Sequence, residues 1–196
     1  MATKSNGSKT QPHFTVPGLD ADEGRQVAEL LQSRLVALID LSLTLKHVHW
    51  NVVGPYFIGV HQMIDPQVDA VREMVDATAE RIATLGRQPN GLPGYVAKNR
   101  SWDDYSIGRA TVPEHLGALD VVYQGVIAEH RKAIETLDDL DLVSQDMLVG
   151  QAGELEQFHW FIRAHLENSE GSLSTAGTQH EEQAARKAKT GAQRSA

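Results

Sequence analysis

With 196 residues, 41% hydrophobic and 22% charged, the chain has apolar material for one core and two tails. It contains no cysteine, which excludes disulfides, thiolate metal sites and cysteine nucleophiles and leaves histidine and carboxylate as metal ligands. The net charge of −8 is uneven: Lys4 and Lys9 stand in residues 1–16, Arg186, Lys187, Lys189 and Arg194 face Glu181 and Glu182 in residues 171–196, and the body between has 12 basic and 24 acidic side chains, so the body draws cations and only the tails suit a polyanion.

Helical periodicity dominates, with no strand-like alternation of comparable length, and the fold class is all-α. Val27, Leu30, Leu31, Leu35, Leu38, Leu45 and Val48 recur at three- and four-residue intervals and predict a first helix from about Asp20 to Trp50, ended by Asn51-Val-Val-Gly-Pro55. A second runs from about Ile58 to Leu85, with Gly86 and Pro89 beyond it. Its start is open: Asp65-Pro66 reads as an N-cap and first helical residue, whereas a start near Ile58 puts Pro66 inside, where it removes a hydrogen bond and kinks the helix. A loop rich in Gly, Pro and Asn follows, with a short helical turn at Ser101-Trp-Asp-Asp-Tyr105. Thr111 and Glu114 form a capping box for a third helix to about Leu137. The acidic turn Asp138-Asp-Leu-Asp141 leads into a fourth, capped by Ser144 and ending near Glu170. Low apolar content beyond Gly171 predicts a flexible basic tail. The expected organisation is a flexible tail over 1–16, a bundle over 17–170 and a second tail over 171–196. Four long helices with one long crossover between the second and third describe a four-helix bundle in the ferritin-like arrangement.

Potential ligands crowd the junction of the first two helices. His47 and His49 sit in Lys46-His-Val-His-Trp50, and His61 and Asp65, then Asp76 and Glu80, follow at four-residue spacing. Residues four apart share one helical face and can reach one ion. His47 and His49 point to different faces, so only one turns inward. A mixed imidazole and carboxylate set suits iron, manganese or zinc, iron being the expectation for a bundle of this kind. Asp65 and Asp76 stand about 16 Å apart along one helix, too far for a two-metal site of about 3.5–4 Å. The two pairs meet instead if the second helices of two subunits run antiparallel across a twofold axis, giving two equivalent sites per dimer. Taken singly each pair is ordinary, because carboxylates at this spacing usually form a solvated face. Their joint occurrence around Trp50 and the helix break is what points to a metal.

The stretch LKHVHWNVVGPYFIGVH from Leu45 to His61, continuing to Asp65, Asp76 and Ala79-Glu-Arg-Ile82, closely resembles the signature of the Dps family of miniature ferritins, as does Phe158-His-Trp-Phe-Ile162. The resemblance covers roughly residues 15–170. It implies ferroxidase ligands at His49, His61, Asp65, Asp76 and Glu80, shared between subunits. It also implies a hollow homododecamer, oxidation of ferrous iron, preferably by hydrogen peroxide, and a ferric mineral core. Some members also condense DNA through mobile tails. In related shells, negatively charged threefold pores admit iron near the corner that holds Asp138, Asp139, Asp141 and Asp146, although acids near a helix N-terminus also stabilise its dipole. Trp50, next to His49, combines packing with the role of electron donor or radical trap, while Trp160 is assigned to packing. His47 departs from the pattern as an extra histidine and is placed outside the site. Pro66 departs as well, directly after a ligand.

If DNA is bound, Arg186, Lys187, Lys189 and Arg194 are the expected contacts, with a lesser part for Lys4 and Lys9. Display of many tails on one particle would compensate for their small charge. A nucleoid-compacting protein with little ferroxidase activity is the alternative reading, opposed by the intact set of ligands. A di-iron oxygenase for organic substrates is disfavoured, since such proteins show Glu-x-x-His on two helices, a paired motif absent here. No apolar run approaches the ~18 residues of a membrane span and the first residues lack a signal-peptide pattern, so a cytoplasmic protein is expected, nucleoid-associated if it binds DNA.

Overall fold

Asp20 starts the first helix. Its carboxylate accepts from the N–H groups of Asp22 and Glu23, each at 2.8 Å, and the Glu23 carboxylate accepts from the Asp20 N–H at 3.0 Å, a reciprocal cap that satisfies donors the helix itself cannot. In the computed structural model, which describes residues 14–194, the elements are α1 (Ala21–Asn51), β1 (Val52–Val53), α2 (Phe57–Thr84), α3 (Pro93–Asn99), β2 (Ala110–Thr111), α4 (Val112–Leu137), α5 (Leu142–Leu166) and α6 (Glu181–Arg194). The helix α1 packs along α2, and α4 along α5. The long crossover carries α3 and β2. Two apolar clusters fill the bundle, one around Leu38, Leu41, Leu45, Ile64, Leu116, Leu119, Leu155 and Ile162, the other around Val27, Leu31, Leu35, Ile82, Leu85, Leu137 and Leu148. Each fully buried leucine contributes about 1.5–3 kcal/mol of transfer free energy. Among the described residues no helix is long and apolar enough to cross a membrane.

The turn between α1 and α2 positions the chemistry. Gly54 (φ 90°) and Tyr56 (φ 65°) both take left-handed backbone, which reverses the chain within five residues. The parallel pairing of Val52 with Ala110 and Val53 with Thr111 then pins this turn to the start of α4. The helix α2 begins at Phe57 and runs through Pro66, so Asp65 lies inside the helix, not at its cap. The crossover differs from expectation: its short helix is at Pro93–Asn99, with Pro93 supplying the pre-set φ of a first turn. Ser101–Tyr105 is not helical; Arg100 anchors it by pairing with Asp40 at 3.2 Å and with Asp104.

Two further expectations are corrected. The cap of α5 is Asp141, not Ser144. The Asp141 carboxylate accepts from the N–H groups of Val143 and Ser144 and from the Ser144 hydroxyl, and pairs with Arg81 Nη2 at 2.6 Å. A carboxylate offers the lone pairs for all of these, which a hydroxyl does not.

The second correction concerns the C-terminal segment, which is not a loose tail where it is described. Residues 181–194 form α6, packed along α4 with Ala184, Ala185 and Ala188 buried. The Glu181 carboxylate accepts from the N–H and hydroxyl of Ser106, and Lys189 pairs with Glu114 at 3.0 Å. The fit rests on Gly117. A Cβ there would lie 2.7 Å from the Ala184 carbonyl oxygen and 2.8 Å from Ala188 Cβ. Glycine to alanine inside a helix ordinarily gains up to about 1 kcal/mol. Gly117→Ala should instead cost about 1–3 kcal/mol through overpacking and loosen α6. Limited trypsinolysis should then cut after Arg186, Lys187 and Lys189 faster than in wild type while the bundle resists. Equal cleavage rates would show that α6 is not held at this contact.

Candidate metal centre

His49 and His61 face each other across the turn. His49 Nδ1 lies 3.0 Å from the His61 carbonyl oxygen, His61 Nδ1 lies 2.9 Å from the His49 carbonyl oxygen, and the rings stack at 3.6 Å and 23°. A carbonyl only accepts, so each Nδ1 carries a proton, and the neutral tautomer that this selects has its lone pair on Nε2. This is how proteins orient metal-binding histidines, with the remote nitrogen fixed by a backbone or carboxylate partner. Phe57 closes one edge, its ring 6.1 Å from that of His61.

Asp65 stands one turn after His61 on α2. Its Oδ1 accepts from Lys46 Nζ at 2.8 Å and lies 3.2 Å from His49 Nδ1. The Lys46 hydrogen bond holds its pKa below the ordinary carboxylate value, with the nearby histidines acting in the same direction, so Asp65 is an anion at neutral pH. A cation arriving at Oδ1 meets Lys46 already there. The same ammonium lies 5.9 Å from the Trp50 ring centroid.

The sequence-predicted residues thus divide into two groups. His49, His61 and Asp65 are brought together. Asp76 and Glu80 are exposed farther along α2; at 100° per residue all four α2 ligands fall within an arc of about 100°. Among the described residues no group of three or more His, Asp or Glu side chains is arranged to hold an ion within one chain. Trp50 is 71% exposed, so in the single chain it lies on the surface and not in the core; Trp160 is also exposed and leans on Phe161, ring centroids 5.2 Å apart.

Residues 28–171 match the ferritin-like domain family. The chain is 61% identical over 176 residues to the DNA protection during starvation protein of Mycolicibacterium smegmatis, covering 90% of this chain and 96% of that one. The chain belongs to the Dps family of ferritin-like proteins. A solved Mycobacterium smegmatis Dps superposes with a TM-score of 0.83 at 62% identity, covering 84% of this chain and 94% of that one. DpsA14 from Streptomyces coelicolor gives 0.82 at 56% identity, with 83% and 97% covered.

Within this Dps-family chain the other candidates are placed less uniformly. Asp138, Asp139 and Asp146 are exposed at the start of α5, Asp138 accepting from Gln145 Nε2 at 2.9 Å. Asp141 differs: its carboxylate is turned inward to Arg81 and Ser144, bonds that outweigh burial and hold its pKa low. Of the basic residues, Arg186 pairs with Glu182 at 3.3 Å, Lys187 donates to the Ala176 carbonyl oxygen at 3.0 Å and Lys189 is bound to Glu114. Lys4, Lys9 and the side chain of Arg194 lie outside the described residues.

Sequence reading missed several buried polar partners. His159 Nε2 lies 2.6 Å from Asp120 Oδ1, and Thr175 donates to Asp120 Oδ2 at 2.6 Å, clasping the segment before α6 to the bundle. The pattern Glu156-Gln-Phe-His159 is a single Glu-x-x-His. Its side chains part, His159 to Asp120 and Glu156 to Arg131, so it forms no ligand pair. His130, at the bundle centre beside Gln151, has its pKa pushed down to about 4 by burial.

Proposed function

We propose that the chain is a subunit of a homododecameric shell that oxidises ferrous iron with hydrogen peroxide and stores the ferric product, protecting the cell from iron-driven oxidation. The observation that carries this reading is the reciprocal histidine pair, which frees two Nε2 lone pairs beside an ionised Asp65. Iron is the substrate. His49, His61 and Asp65 of one subunit would bind it together with Asp76 and Glu80 of a second, whose α2 runs antiparallel across a twofold axis. The imidazoles supply neutral nitrogen. The carboxylates offset cationic charge and favour the ferric over the ferrous ion.

With two ferrous ions present, each gives one electron, the peroxide O–O bond breaks, two protons are taken up and two waters leave. No hydroxyl radical is released. Trp50 beside the site is proposed as a trap for stray oxidising equivalents. The −12 body attracts ferrous iron, and Asp138, Asp139 and Asp146, exposed together, are proposed to line its way in. Anaerobic loading followed by peroxide titration tests the chemistry: the endpoint should come at two ferrous ions per peroxide, whereas an endpoint near one with abundant spin-trapped hydroxyl radical would contradict it.

DNA binding is the second reading, favoured by the name of the mycobacterial relative and by the exposed cationic side of α6. Because Lys187 is engaged with the segment before α6 and Lys189 with α4, phosphate must compete with those contacts. In a gel-shift series over salt, Arg186, Lys187 and Lys189 changed together to alanine should weaken binding and flatten the log–log salt slope by about 2–3 per engaged helix. Equal binding by both proteins would remove α6 as the contact.

A further inference from the structure

His47, which the iron site leaves aside, stands two residues before His49 and projects about 200° away from it, on the other side of α1. There its Nε2 lies 2.9 Å from the Ile107 carbonyl oxygen, and its ring meets Tyr105 edge-on with centroids 5.8 Å apart. The Tyr105 hydroxyl in turn lies 3.1 Å from His115 Nδ1 and, farther off, 3.4 Å from the His115 carbonyl oxygen, the two rings nearly parallel at 11°. His115 is fully buried. Burial lowers its pKa despite the nearby backbone of Asn51 and Gly108, so the ring is neutral at pH 7 and able to take a proton.

That geometry matters for electron transfer. A phenol gives up an electron readily only if its proton leaves at the same time, because the oxidised phenol is a very strong acid. A tyrosine hydrogen-bonded to a neutral imidazole meets this condition. Tyr123 does not: it is buried, and its hydroxyl donates to Gln67 Oε1 at 2.7 Å, an amide oxygen that is not a useful base. Trp50 follows the ligand His49 directly, but the Lys46 ammonium over its ring opposes positive charge on the indole, which leaves it a trap for equivalents that escape the site and makes it a poorer donor than a phenol that can lose its proton. Tyr105 touches His47, which lies across α1 from His49, and such a helix is about 10–12 Å across with its side chains.

We propose that Tyr105, with His115 as its proton acceptor, is a one-electron donor to the iron site, used when peroxide meets one ferrous ion in place of two. This rests on the ferroxidase reading above. Peroxide needs two electrons: the ferrous ion supplies one and becomes ferric, and Tyr105 supplies the other. The O–O bond breaks, two solvent protons join the two hydrogens of the peroxide, and two waters form. The phenolic proton passes to His115 Nδ1, leaving a neutral tyrosyl radical beside an imidazolium. Hydroxyl radical is thereby avoided in a half-loaded site.

Freeze-quench electron paramagnetic resonance on the full-length protein, loaded anaerobically with one ferrous ion per site and mixed with equimolar peroxide, tests this. A tyrosyl signal is expected, narrowing when the protein is grown with ring-deuterated tyrosine. It should be lost in Tyr105→Phe, kept in Tyr123→Phe and much reduced in His115→Gln, whose amide cannot take the proton. Spin-trapped hydroxyl radical should rise in Tyr105→Phe. A signal that survives in Tyr105→Phe, or that responds to deuterated tryptophan and not tyrosine, overturns the assignment. The wild-type labelling result does not depend on how any variant folds. The ferric signal in the same spectra separates the two levels: its absence sinks the ferroxidase reading, whereas ferric iron without a tyrosyl radical sinks this inference alone.

Discussion

His61→Ala should lower the initial rate of peroxide-dependent ferrous oxidation by at least about 100-fold, since even the loss of a partner behind a metal ligand typically costs 10–100-fold. Asp65→Ala and Asp76→Ala should behave alike. The fold should tolerate the changes. His61 is only half-buried and Asp76 is exposed, and His61→Ala removes one of two reciprocal bonds while its backbone carbonyl still accepts from His49, a loss of about 1 kcal/mol. Circular dichroism and native mass should therefore match wild type. A stopped-flow rate within a factor of two of wild type in His61→Ala would remove this histidine from the site.

Mixing the two defective proteins gives the second large effect. In an interface between a His61→Ala subunit and an Asp76→Ala subunit, one site has lost both ligands and the other has lost neither, if the site takes His61 from one chain and Asp76 from the next. Random reassembly makes half of the interfaces hybrid, so activity should recover to about a quarter of the wild-type rate from two nearly inactive parents. Mass spectrometry confirms that subunits have exchanged. Exchange without recovery would mean that all ligands come from one chain, which the ~16 Å between Asp65 and Asp76 along α2 opposes.

The fold was legible in the sequence where it depends on local periodicity. The limits of α1 follow from regular leucine and valine spacing and from the Asn51–Pro55 break, and the end of α2 from Gly86 and Pro89, whereas the start of α2 stayed open between Ile58 and Asp65 because Pro66 suits a first turn as well as a kink. The ligand spacing on α2 was legible for the same reason, because four-residue intervals need no knowledge of the rest of the chain. The tautomer of the two histidines was not. It depends on a left-handed Tyr56 returning α2 against α1 so that each imidazole meets the other residue's carbonyl. The helix α6 was hidden because its alanines look too small to make a core. They suffice only against Gly117, far away in sequence. At α5, Asp141 and Ser144 are both good caps three residues apart, and the choice is made by Arg81 on another helix. The pairing of Tyr105 with His115 likewise depends on the crossover and had no local signal.

Native mass spectrometry of the full-length protein, followed by anaerobic ferrous iron, then hydrogen peroxide and gel filtration, counts the subunits in each particle and the iron each particle keeps. The expected result is a dodecameric mass that retains ferric iron well beyond two ions per site and loses this capacity in His61→Ala. A monomeric or dimeric mass, or a shell from which all oxidised iron separates, would contradict an iron store built on sites shared between subunits.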